Sequence, residues 1–532
     1  MKIEIPEMSV VVLVGVSGSG KSTFAKKHFL PTEILSSDAC RGLVSDDENN
    51  QAATGDAFDV LHYILRKRLA AGKLCVVDAT NVQSESRKPI LDDAREMNSL
   101  AIAIVFDIAQ RVAIERNKDR TDRNFYGPRV IGTQAAQLRR SIRNLQREGF
   151  RYVFYLNSPE EADAAEIVHV PLWNNRKQEH GPFDIIGDIH GCYDELTALL
   201  RELGYAPAPA PGAADAWAHP EGRKLVFLGD LVDRGPDSPA VLRLVIDTVR
   251  ATGALCIPGN HDVKFMRKIR GKNVRVAHGL DASLAQFEAD EPLHPGSAKA
   301  AADFIDRLVS HYVLDDGRLV VAHAGMKESM QGRASGAVRE FALYGETTGE
   351  TDEYGLPVRY NWAAEYRGRA TVVYGHTPVP EPEWLNNTLN IDTGCVFGGR
   401  LTALRYPEKK IVSVPAARIY ATPVKPFLPP AAAVDTDADG TDASSTFTAQ
   451  QQNDDLLDLA DVTGKRIIQT LFQQTVTIRE ENAAAALEVM SRFAANPKWL
   501  IHLPPTMSPA ETSPLPGLLE HPAEVFAYYT AA

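Results

Sequence analysis

Six polar side chains in this sequence follow short apolar runs that are typical of buried β-strands. The runs occupy residues 183–186, 225–228, 255–257, 319–322 and 371–374. Each lasts only a few residues and is soon followed by a glycine, which predicts a strand rather than a helix. Because open α/β sheets bind ligands at the carboxyl ends of their strands, we expect the six side chains to meet. They are Asp188, His190, Asp230, Asn260, His323 and His376.

This set of nitrogen and oxygen donors suits two adjacent divalent metal ions. Mixed ligands of this kind favour Mn, Fe, Zn or Ni over Ca, and we expect Mn²⁺ or Ni²⁺. Asp188 and His190 would hold one ion, Asp230 would bridge both, and the other three residues would complete the second. Such a pair clamps a phosphate group and activates a water molecule. The pattern therefore predicts a binuclear phosphate-cleaving centre.

Three further residues are candidates for this centre. Arg234 can hold two phosphate oxygens in a fork. His261, next to Asn260, can protonate a leaving oxygen. Asp392 lies in a later fragment, Asn-Ile-Asp-Thr-Gly-Cys, and we expect it near the metals, either as a ligand or as a support for one.

Taken in this order, the fragments resemble the binuclear metallophosphoesterase superfamily. The similar branch contains phosphoprotein phosphatases and diadenosine tetraphosphatases. The resemblance implies an αββα sandwich, which we place at residues 181–415.

A second set of residues with recognisable chemistry lies near the N-terminus. Residues 15–22 read Gly-Val-Ser-Gly-Ser-Gly-Lys-Ser and follow an apolar run, so they match the P-loop pattern between a strand and a helix. Lys21 would reach the β- and γ-phosphates of ATP, and Ser22 would bind its Mg²⁺. The predicted nucleotide-binding residues of the loop are Gly15, Ser17, Gly18, Ser19, Gly20, Lys21, Ser22 and Thr23.

Two carboxylates follow the next predicted strands of this region. Asp38 comes after the run at 34–37 and could deprotonate an attacking hydroxyl, while Arg41, one turn later, could hold an acceptor phosphate. A helix cap for Asp38 and a surface charge for Arg41 are the alternatives. Asp78 follows the run at 74–77 and is either a metal-supporting carboxylate or the cap of the next helix.

Residues 111–151 form the most basic segment of the chain, with eleven Lys or Arg against four Asp or Glu, a balance of +7. Arg116, Arg120 and Arg123 are spaced four and three apart, so one helix face would present all three as a lid over the transferring phosphate. The other arginines would line an approach for a polynucleotide, or would simply form a solvated face.

The P-loop, the Asp38–Arg41 pair and the arginine lid together are similar to P-loop polynucleotide 5′-kinases. The resemblance implies a parallel sheet with flanking helices over residues 1–170. It also implies ATP-dependent phosphorylation of 5′-hydroxyl ends of RNA or DNA.

The C-terminal part changes composition twice. Residues 416–453 are rich in Pro, Ala, Asp, Thr and Ser, which predicts a disordered linker. Residues 454–532 regain folding signals, with a capping box at Thr477 that predicts a helix. This short module resembles the leading part of a ligase domain, and no K-x-x-G follows residue 450, so we expect no ligase activity from this chain.

The order of the three parts resembles bacterial polynucleotide kinase-phosphatases, an RNA repair family. The resemblance implies that ATP phosphorylates the 5′-hydroxyl of broken RNA, tRNA-like substrates included, while the metal centre removes the 2′,3′-cyclic or 3′-phosphate. It also implies a 3′-terminal 2′-O-methyltransferase as a partner. A homodimer and no membrane contact are further expectations.

Two other functions remain open from the residues alone. One is a protein Ser/Thr or diadenosine-polyphosphate phosphatase fused to a small-molecule P-loop kinase. The other is an NTP-gated RNA-binding scaffold with an inactive phosphatase part. The arginine-rich segment favours a polynucleotide substrate over the first, and the absence of any visible replacement among the metal-ligand positions argues against the second.

Composition narrows the class of protein further. The chain has 532 residues, which predicts several domains, and a net charge of −12, which argues against nonspecific coating of nucleic acid. No run approaches 18 apolar residues, the length that a membrane span requires. The five cysteines are scattered without paired spacing, which predicts a reducing, cytoplasmic setting and no zinc finger.

Overall fold

The computed structural model describes residues 1–118, 127–352 and 357–425, and two short strands at 476–477 and 501–502. The chain divides into two compact units, Met1–Ala431 and Ala432–Ala532. The first unit contains an α/β part with a P-loop and a second α/β part of the metallophosphoesterase type, so the predicted fold class is confirmed. Within the described residues, no helix is long and apolar enough to cross a bilayer.

The N-terminal part is built on a five-stranded parallel sheet in the order β3-β4-β2-β5-β6. Its central strand β2 is buried along its whole length, as an unbroken apolar run on a sheet covered on both faces requires. The strands of this part are β1 Lys2–Pro6, β2 Ser9–Gly15, β3 Ile34–Ser36, β4 Cys75–Asp78, β5 Leu100–Phe106, β6 Tyr152–Leu156 and β7 Glu166–Val170.

Helices cover both faces of this sheet, and two hydrophobic clusters fill the space between. They are α1 Lys21–His28, α2 Ser37–Ser45, α3 Thr54–Ala70, α4 Ser84–Glu96, α5 Gln110–Lys118, α6 Pro128–Ser141, α7 Leu145–Glu148 and α8 Pro159–Asp163. Short 3₁₀ turns lie at Gln51–Ala53 and Ile142–Asn144. The second turn separates α6 from α7, yet Leu138 and Leu145 both remain buried against the sheet. A separate two-stranded parallel sheet pairs β1 with β7.

The second part contains two sheets and two short hairpins. The sheets run in the orders β13-β12-β9-β21-β22 and β19-β20-β18-β15-β14-β8. The strands are β8 Asn175–Arg176, β9 Phe183–Ile186, β10 Ala206–Pro207, β11 Trp217–Ala218, β12 Lys224–Phe227, β13 Leu255–Cys256, β14 His311–Leu314, β15 Leu319–Ala322, β16 Thr347–Thr351, β17 Pro357–Arg359, β18 Thr371–Tyr374, β19 Glu383–Leu385, β20 Thr388–Asn390, β21 Arg400–Tyr406 and β22 Lys410–Pro415.

One hydrophobic cluster lies between the two sheets, and two others lie between each sheet and its outer helices. This layering is the αββα sandwich that the sequence predicts. The helices are α9 Tyr193–Glu202, α10 Ser238–Thr252, α11 Asn260–Ile269, α12 Leu280–Asp290, α13 Ser297–Arg307, α14 Gly336–Tyr344 and α15 Trp362–Glu365. Further 3₁₀ turns lie at Asp315–Gly317, Glu328–Met330 and Cys395–Phe397.

The residues just after β22 correct the start of the predicted linker. Ala417 N donates to Glu195 Oε1 at 2.9 Å, and the Tyr420 hydroxyl donates to the same atom at 2.8 Å. The backbone N–H groups of Tyr420 and Ala421 both donate to Val396 O. The chain therefore stays packed on the sandwich through Ala421, because its alanines and Tyr420 cover apolar surface there.

A buried arginine joins the two parts of the first unit. Arg333 is only 8% exposed, and its guanidinium donates to Leu69 O, Ala70 O and Met97 O at 3.0, 2.7 and 2.7 Å. These carbonyls end α3 and α4, where unpaired carbonyls and the helix dipole favour a cation. Ser335 Oγ adds a bond of 2.8 Å to Asn98 Oδ1.

The second unit is described only at two strands. β23 Val476–Thr477 pairs in parallel with β24 Ile501–His502. The helix predicted to start after Thr477 lies outside the described residues.

Candidate active sites

The six predicted metal ligands all stand at the carboxyl ends of strands or at a helix start. Asp188 and His190 follow β9, and Asp230 follows β12. His323 follows β15 directly, His376 follows β18, and Asn260 is the first residue of α11 after β13. The parallel pairings of β9 with β12 and of β15 with β18 carry these ends to the same edges of the two sheets.

Asp230 lies in the middle of the group, as a bridging ligand would. Its Oδ2 is 3.5 Å from His190 Nε2, and its Oδ1 is 3.5 Å from His323 Nε2. His323 Nε2 is also 3.0 Å from Asn260 Oδ1 and 3.0 Å from His376 Nδ1. The structure thus brings the predicted ligands into one pocket, with Asp230 shared between two histidine groups.

Hydrogen bonds outside the pocket fix the tautomers of two histidines. His190 Nδ1 lies 2.8 Å from Val232 O, and His323 Nδ1 lies 3.0 Å from Leu228 O. A carbonyl oxygen only accepts, so each Nδ1 carries the proton and each Nε2 keeps a lone pair inside the pocket. This is the arrangement by which proteins orient metal-binding imidazoles.

Two buried polar atoms of the pocket have no hydrogen-bond partner among the described residues. They are Asp188 Oδ1 and His376 Nε2. The other carboxylate oxygen of Asp188 accepts from His376 N at 3.1 Å. Since buried polar atoms are rarely left unsatisfied, these orphaned atoms fit direct ligation of cations.

The electrostatics of the pocket also fit cations. Burial, reinforced by Asp392 and Asp230, raises the pKa of the Asp188 carboxyl well above its usual range. Burial likewise raises the pKa of Asp230 and of Asp392 to about 7. Burial lowers the pKa of His323 to about 3, which keeps the ring neutral and able to bind a metal. Divalent cations would allow the crowded carboxylates to be ionised together.

The backbone around the ligands is held in unusual conformations. His190, Asp230 and His376 have positive φ angles of 46°, 45° and 75°. Such conformations in non-glycine residues cost energy and concentrate at functional sites. Space is also reserved by glycines, because a Cβ on Gly375 would lie 2.1 Å from Asp188 Oδ1 and one on Gly259 would lie 2.0 Å from Asp230 Oδ1.

The two predicted catalytic side chains are in the same pocket. His261 Nδ1 lies 2.6 Å from Asp233 Oδ2, and the rings of His261 and His190 are 4.9 Å apart. Arg234 Nη1 donates to His190 Nε2 at 2.8 Å, and its guanidinium lies 5.2 Å from the Phe397 ring. Both side chains can therefore reach a group bound at the ligands.

Asp392 lies beside Asp188, as predicted. Its Oδ1 accepts from Gly394 N at 3.0 Å, which shapes the turn after β20. Its charge raises the pKa of Asp188, second only to burial.

Sequence reasoning assigned no role to Asp233, which lies in this pocket, or to Arg359, whose charge acts on it. Asp233 accepts from Ser283 Oγ at 2.8 Å while it holds His261, so it orients that ring. Arg359 ends the hairpin β16–β17 and opposes the effect of burial on the pKa of Asp230. Asp233 could have been found from its place in the fragment Gly-Asp-Leu-Val-Asp-Arg-Gly, whereas Arg359 carries no local signal.

The P-loop borders a second cleft, with a volume of about 800 Å³. α1 begins at Lys21, and the Lys21 ammonium donates to Gly15 O and Val16 O at 2.9 Å each. Ser17 N donates to Gln134 Oε1 of α6 at 2.8 Å, a contact that sequence analysis missed. The lining residues of the loop are Ser17, Gly18, Ser19, Gly20, Lys21, Ser22 and Thr23.

Asp38 and Arg41 line the same cleft and form an ion pair. Asp38 lies in the first turn of α2, not at the end of β3 as predicted, because the strand stops at Ser36. Ser36 Oγ accepts from Ala39 N and caps the helix, so the capping role considered for Asp38 belongs to Ser36. Asp78 also lines the cleft and does not cap α4, which starts six residues later at Ser84.

Arg116 is the one predicted lid arginine within the described residues. It lies in the last turn of α5 and lines the cleft, and its Nη1 would be 3.2 Å from a Cβ placed on Gly20. It therefore lies over the P-loop, where the lid prediction requires it. Arg120 and Arg123 lie outside the described residues.

Comparison with known proteins identifies the second part of the unit. The sequence model of the calcineurin-like phosphoesterases matches residues 181–410. The asymmetrical bis(5′-nucleosyl)-tetraphosphatase PrpE of Anoxybacillus flavithermus is 49% identical over 247 residues, which cover 46% of this chain and 99% of that protein. The chain belongs to the calcineurin-like phosphoesterases. It is an enzyme of the phosphoesterase class, and this class implies bound divalent metals.

Further relatives carry the same description. PrpE of Geobacillus thermodenitrificans is 49% identical over 44% of this chain and 94% of its own length. PrpE of Bacillus subtilis is 46% identical over 45% of this chain and 96% of its own length. These relatives therefore correspond to the phosphoesterase part of this chain alone, over nearly their whole length.

Two other family models match the flanking parts of this phosphoesterase. An AAA domain matches residues 10–147, which contain the P-loop. The PNKP adenylyltransferase (ligase) domain matches residues 485–532. Three matches in this order give the architecture of the polynucleotide kinase-phosphatases, so the predicted resemblance is confirmed.

The fold of the phosphoesterase also brings together residues that looked scattered. Cys192, Glu195 and Cys395 place their ligand atoms within 4.8 Å of one another, and all three are buried. Cys192 lies two residues after His190 and Cys395 three residues after Asp392. The five cysteines are free and buried, and no disulfide joins them.

Proposed function

We propose that this chain repairs broken RNA by phosphorylating 5′-hydroxyl ends and by removing 2′,3′-cyclic or 3′-phosphate ends. The observation that supports it is the presence of two complementary centres in one chain. A P-loop cleft with an acceptor-side Asp38–Arg41 pair accompanies a phosphoesterase pocket, and a ligase-domain match follows both. Nuclease cleavage of RNA by transesterification leaves the two ends that such centres would process.

In the kinase cleft, the chain's own residues supply positioning and charge. The P-loop amides and Lys21 hold the phosphates of ATP, and Arg116 neutralises charge on the transferring group. Asp38 accepts the proton of the 5′-hydroxyl as that oxygen attacks the γ-phosphorus and ADP leaves. Arg41 keeps the carboxylate in place beside the acceptor. The Ser22 hydroxyl is the oxygen ligand that would hold the Mg²⁺ of Mg-ATP.

In the phosphoesterase pocket, Arg234 would bind the phosphate oxygens and His261 would protonate the departing ribose oxygen. Asp233 holds the His261 ring so that Nε2 faces the pocket. Two divalent ions, when bound by the six ligands, would clamp the phosphate and lower the pKa of a water molecule. The nitrogen-rich ligand set favours Mn²⁺ or Ni²⁺.

A second candidate is hydrolysis of diadenosine polyphosphates. The PrpE relatives, which are 46–49% identical over nearly their whole length, favour it. The pocket alone serves both reactions, because both break a phosphoester or phosphoanhydride bond at the metals. What favours RNA is the P-loop cleft and the basic segment 111–151 in the same chain.

A substrate panel tests the phosphatase half of the proposal. With Mn²⁺ present, we measure phosphate release from RNA bearing a 3′-phosphate or 2′,3′-cyclic phosphate and from a phosphopeptide, and release of mononucleotides from diadenosine tetraphosphate, whose cleavage frees no inorganic phosphate. The proposal predicts the highest kcat/KM on RNA ends, with all activity lost in Asp188→Asn. A higher kcat/KM on the dinucleotide or the peptide would reject RNA as the substrate.

Transfer of labelled γ-phosphate from ATP tests the kinase half. The Asp38→Asn variant should lose about 10²- to 10⁴-fold of kinase activity, because the acceptor proton has no base. Phosphatase activity should be unchanged in this variant, since Asp38 lines only the P-loop cleft. If the wild type transfers no label to any 5′-hydroxyl RNA, the proposal is contradicted.

A further inference from the structure

Four exposed arginines lie close together in sequence on the outside of the P-loop domain. Arg139, Arg143, Arg147 and Arg151 are spaced four residues apart and are all exposed. They lie on successive short elements: Arg139 in α6, Arg143 in the 3₁₀ turn Ile142–Asn144, Arg147 in α7 and Arg151 in the bend before β6. Leu138 and Leu145 face the opposite way and are buried, which directs the arginines outwards. We call these four residues the arginine strip.

The strip keeps its positive charge. Among the residues that the structure describes, no carboxylate forms an ion pair with any of its four members. The nearest acid in sequence, Glu148, is bound by the fully buried Arg87 at 2.8 and 2.7 Å. In a chain of net charge −12, four exposed arginines within 13 residues form a local positive surface that favours binding of an anion.

Two exposed aromatic rings lie beside the strip. Tyr155 of β6 is 40% exposed, and its hydroxyl donates to Ile142 O at 3.2 Å, which places it against the turn that carries Arg143. Trp173 is 46% exposed, and the Arg151 guanidinium lies 5.6 Å from its ring. Exposed aromatic rings interleaved with arginines can stack on nucleobases.

The strip begins next to the cleft. Val130 and Gln134 of α6 line the P-loop cleft, and Arg139 lies on the same helix little more than one turn further along. Pro159, which follows Tyr155 after the end of β6, lines the same cleft. A strand whose 5′ end sits near Asp38 can therefore continue over α6 onto the strip.

We propose that the arginine strip and its two exposed rings bind single-stranded RNA on the 3′ side of the 5′-hydroxyl that is phosphorylated. This rests on the proposed kinase function and adds where the substrate is held. The guanidinium groups contact successive phosphates, and Tyr155 and Trp173 stack on bases without reading their sequence.

Salt-dependent binding tests the phosphate contacts. Affinity for a labelled 5′-hydroxyl RNA of about 20 nucleotides is measured by anisotropy over a salt series, without ATP. In the double variant Arg143→Ala/Arg147→Ala, the slope of log K against log[salt] should become shallower by about 1.4, which is two contacts at about 0.7 each. The control Lys272→Ala/Lys299→Ala removes two exposed cations of the phosphoesterase and should leave the slope unchanged.

Kinetics separates the strip from the catalytic cleft. In the arginine double variant, the KM for the long RNA should rise about tenfold or more, as expected for two lost phosphate contacts. The KM values for a 5′-hydroxyl dinucleotide and for ATP should stay unchanged, because neither reaches the strip. An equal loss on the dinucleotide, or an unchanged KM for the long RNA, would overturn the proposal.

Fluorescence tests the stacking. RNA binding should quench the emission of the wild type, and Trp173→Phe should remove most of that quenching while affinity is kept, since phenylalanine also stacks. Trp173→Ala should weaken binding about fivefold or more. Undiminished quenching in Trp173→Phe would show that no base reaches this ring.

The outcomes also separate this proposal from the proposed kinase function. If no RNA is phosphorylated but the binding slope changes as predicted, the kinase function is wrong and RNA binding by the strip is supported. If RNA is phosphorylated and the slope is unchanged, the kinase function is supported and RNA binding by the strip is wrong. Binding to anionic phosphatidylserine vesicles that is lost in the double variant, with RNA affinity unchanged, would assign the strip to a lipid surface instead.

Discussion

Asp233 and His261 form a pair whose geometry assigns each a task. Asp233 Oδ2 lies 2.6 Å from His261 Nδ1, and Asp233 is fully buried with Ser283 as a second partner. The carboxylate accepts from Nδ1–H and so turns Nε2 towards the pocket. When Nε2 is also protonated, this imidazolium can deliver the Nε2 proton to a leaving oxygen.

Asp233→Asn should therefore lower kcat on an alkyl phosphate ester about 10²-fold or more. The effect on p-nitrophenyl phosphate should be much smaller, because nitrophenolate leaves without a proton. The exposed Asp281→Asn, a nearby carboxylate with the same change of charge, serves as the control. Equal losses on the two esters would show that the pair does not act on the leaving group.

At this scale the sequence predicted which residues would meet, and the structure adds how they are held. Asp188, His190 and Asp230 were recognisable because short apolar strands place motif residues at one sheet edge. The carbonyls that orient the imidazoles, Val232 O and Leu228 O, carry no side-chain signal. Arg359 comes from a hairpin whose reach depends on tertiary packing, so no local pattern could reveal it.

At the scale of elements, the turns after the strands determine how closely the ligands approach. The turn after β18 needs Gly375, because a Cβ there would lie 2.1 Å from Asp188 Oδ1. Gly375→Ala should displace Asp188, reduce the bound metal below that of the wild type and lower phosphatase activity about 10-fold or more, as misplaced catalytic groups do.

Metal content by mass spectrometry and activity check the Gly375→Ala prediction together. Gly336→Ala is the matched control, because a Cβ at Gly336 meets nothing within 4 Å. Alanine at this first position of α14 should be neutral or slightly stabilising. Full metal content in Gly375→Ala would mean that the turn has room to adjust.

β14 contains a histidine that makes stability depend on pH. His311 is fully buried, and its Nε2 accepts from Gly332 N at 2.9 Å and from Asn174 Nδ2 at 3.1 Å. Burial lowers the pKa of His311 from 6.5 to about 3. Between these values the unfolded chain binds a proton that the folded chain does not, so stability from this group is complete above pH 6.5 and falls as pH decreases.

His311→Gln should remove this part of the pH dependence. For each pH unit below 6.5, protonation of His311 in the unfolded chain lowers the free energy of unfolding of the wild type by about 1.4 kcal/mol. The glutamine variant has no such group and does not show this decrease. Urea unfolding of both proteins at about pH 7 and about pH 5.5 isolates the difference, since all other histidines are shared. Parallel pH profiles would show that His311 is protonated in the fold.

The elements also show where sequence patterns were sufficient and where they were not. The five predicted strands of the phosphoesterase and the β2–P-loop–α1 unit follow from apolar runs ended by glycine. The strand predicted to run to Asp38 ends two residues earlier, at Ser36, because Ser36 caps α2 and the helix starts at Ser37. The linker prediction began too soon because Tyr420 finds a buried partner in Glu195, a contact that composition does not encode.

At the scale of the whole molecule, Arg333 couples the P-loop part to the phosphoesterase part. Its guanidinium makes three hydrogen bonds to the carbonyls at the ends of α3 and α4. Bonds to a charged group are worth about 1.5–3 kcal/mol each before the cost of burial, so their loss should free the two parts to move.

Arg333→Ala should therefore increase proteolytic cleavage in the connector at 171–182 and raise the radius of gyration in solution scattering. Kinase and phosphatase activities on short substrates should persist, because no contact of Arg333 reaches either centre. Arg369→Ala, which removes an exposed arginine, is the control. Unchanged cleavage and radius would mean that other contacts hold the parts together.

The most direct measurement uses one RNA with a 5′-hydroxyl and a 2′,3′-cyclic phosphate, incubated with the full chain, ATP, Mg²⁺ and Mn²⁺, with each end read separately. The wild type should yield a 5′-phosphate and a free 3′-hydroxyl. Asp38→Asn should heal only the 3′ end, and Asp188→Asn only the 5′ end. If the wild type heals neither end, or if either variant still heals both, the chain does not carry the two activities at these two centres.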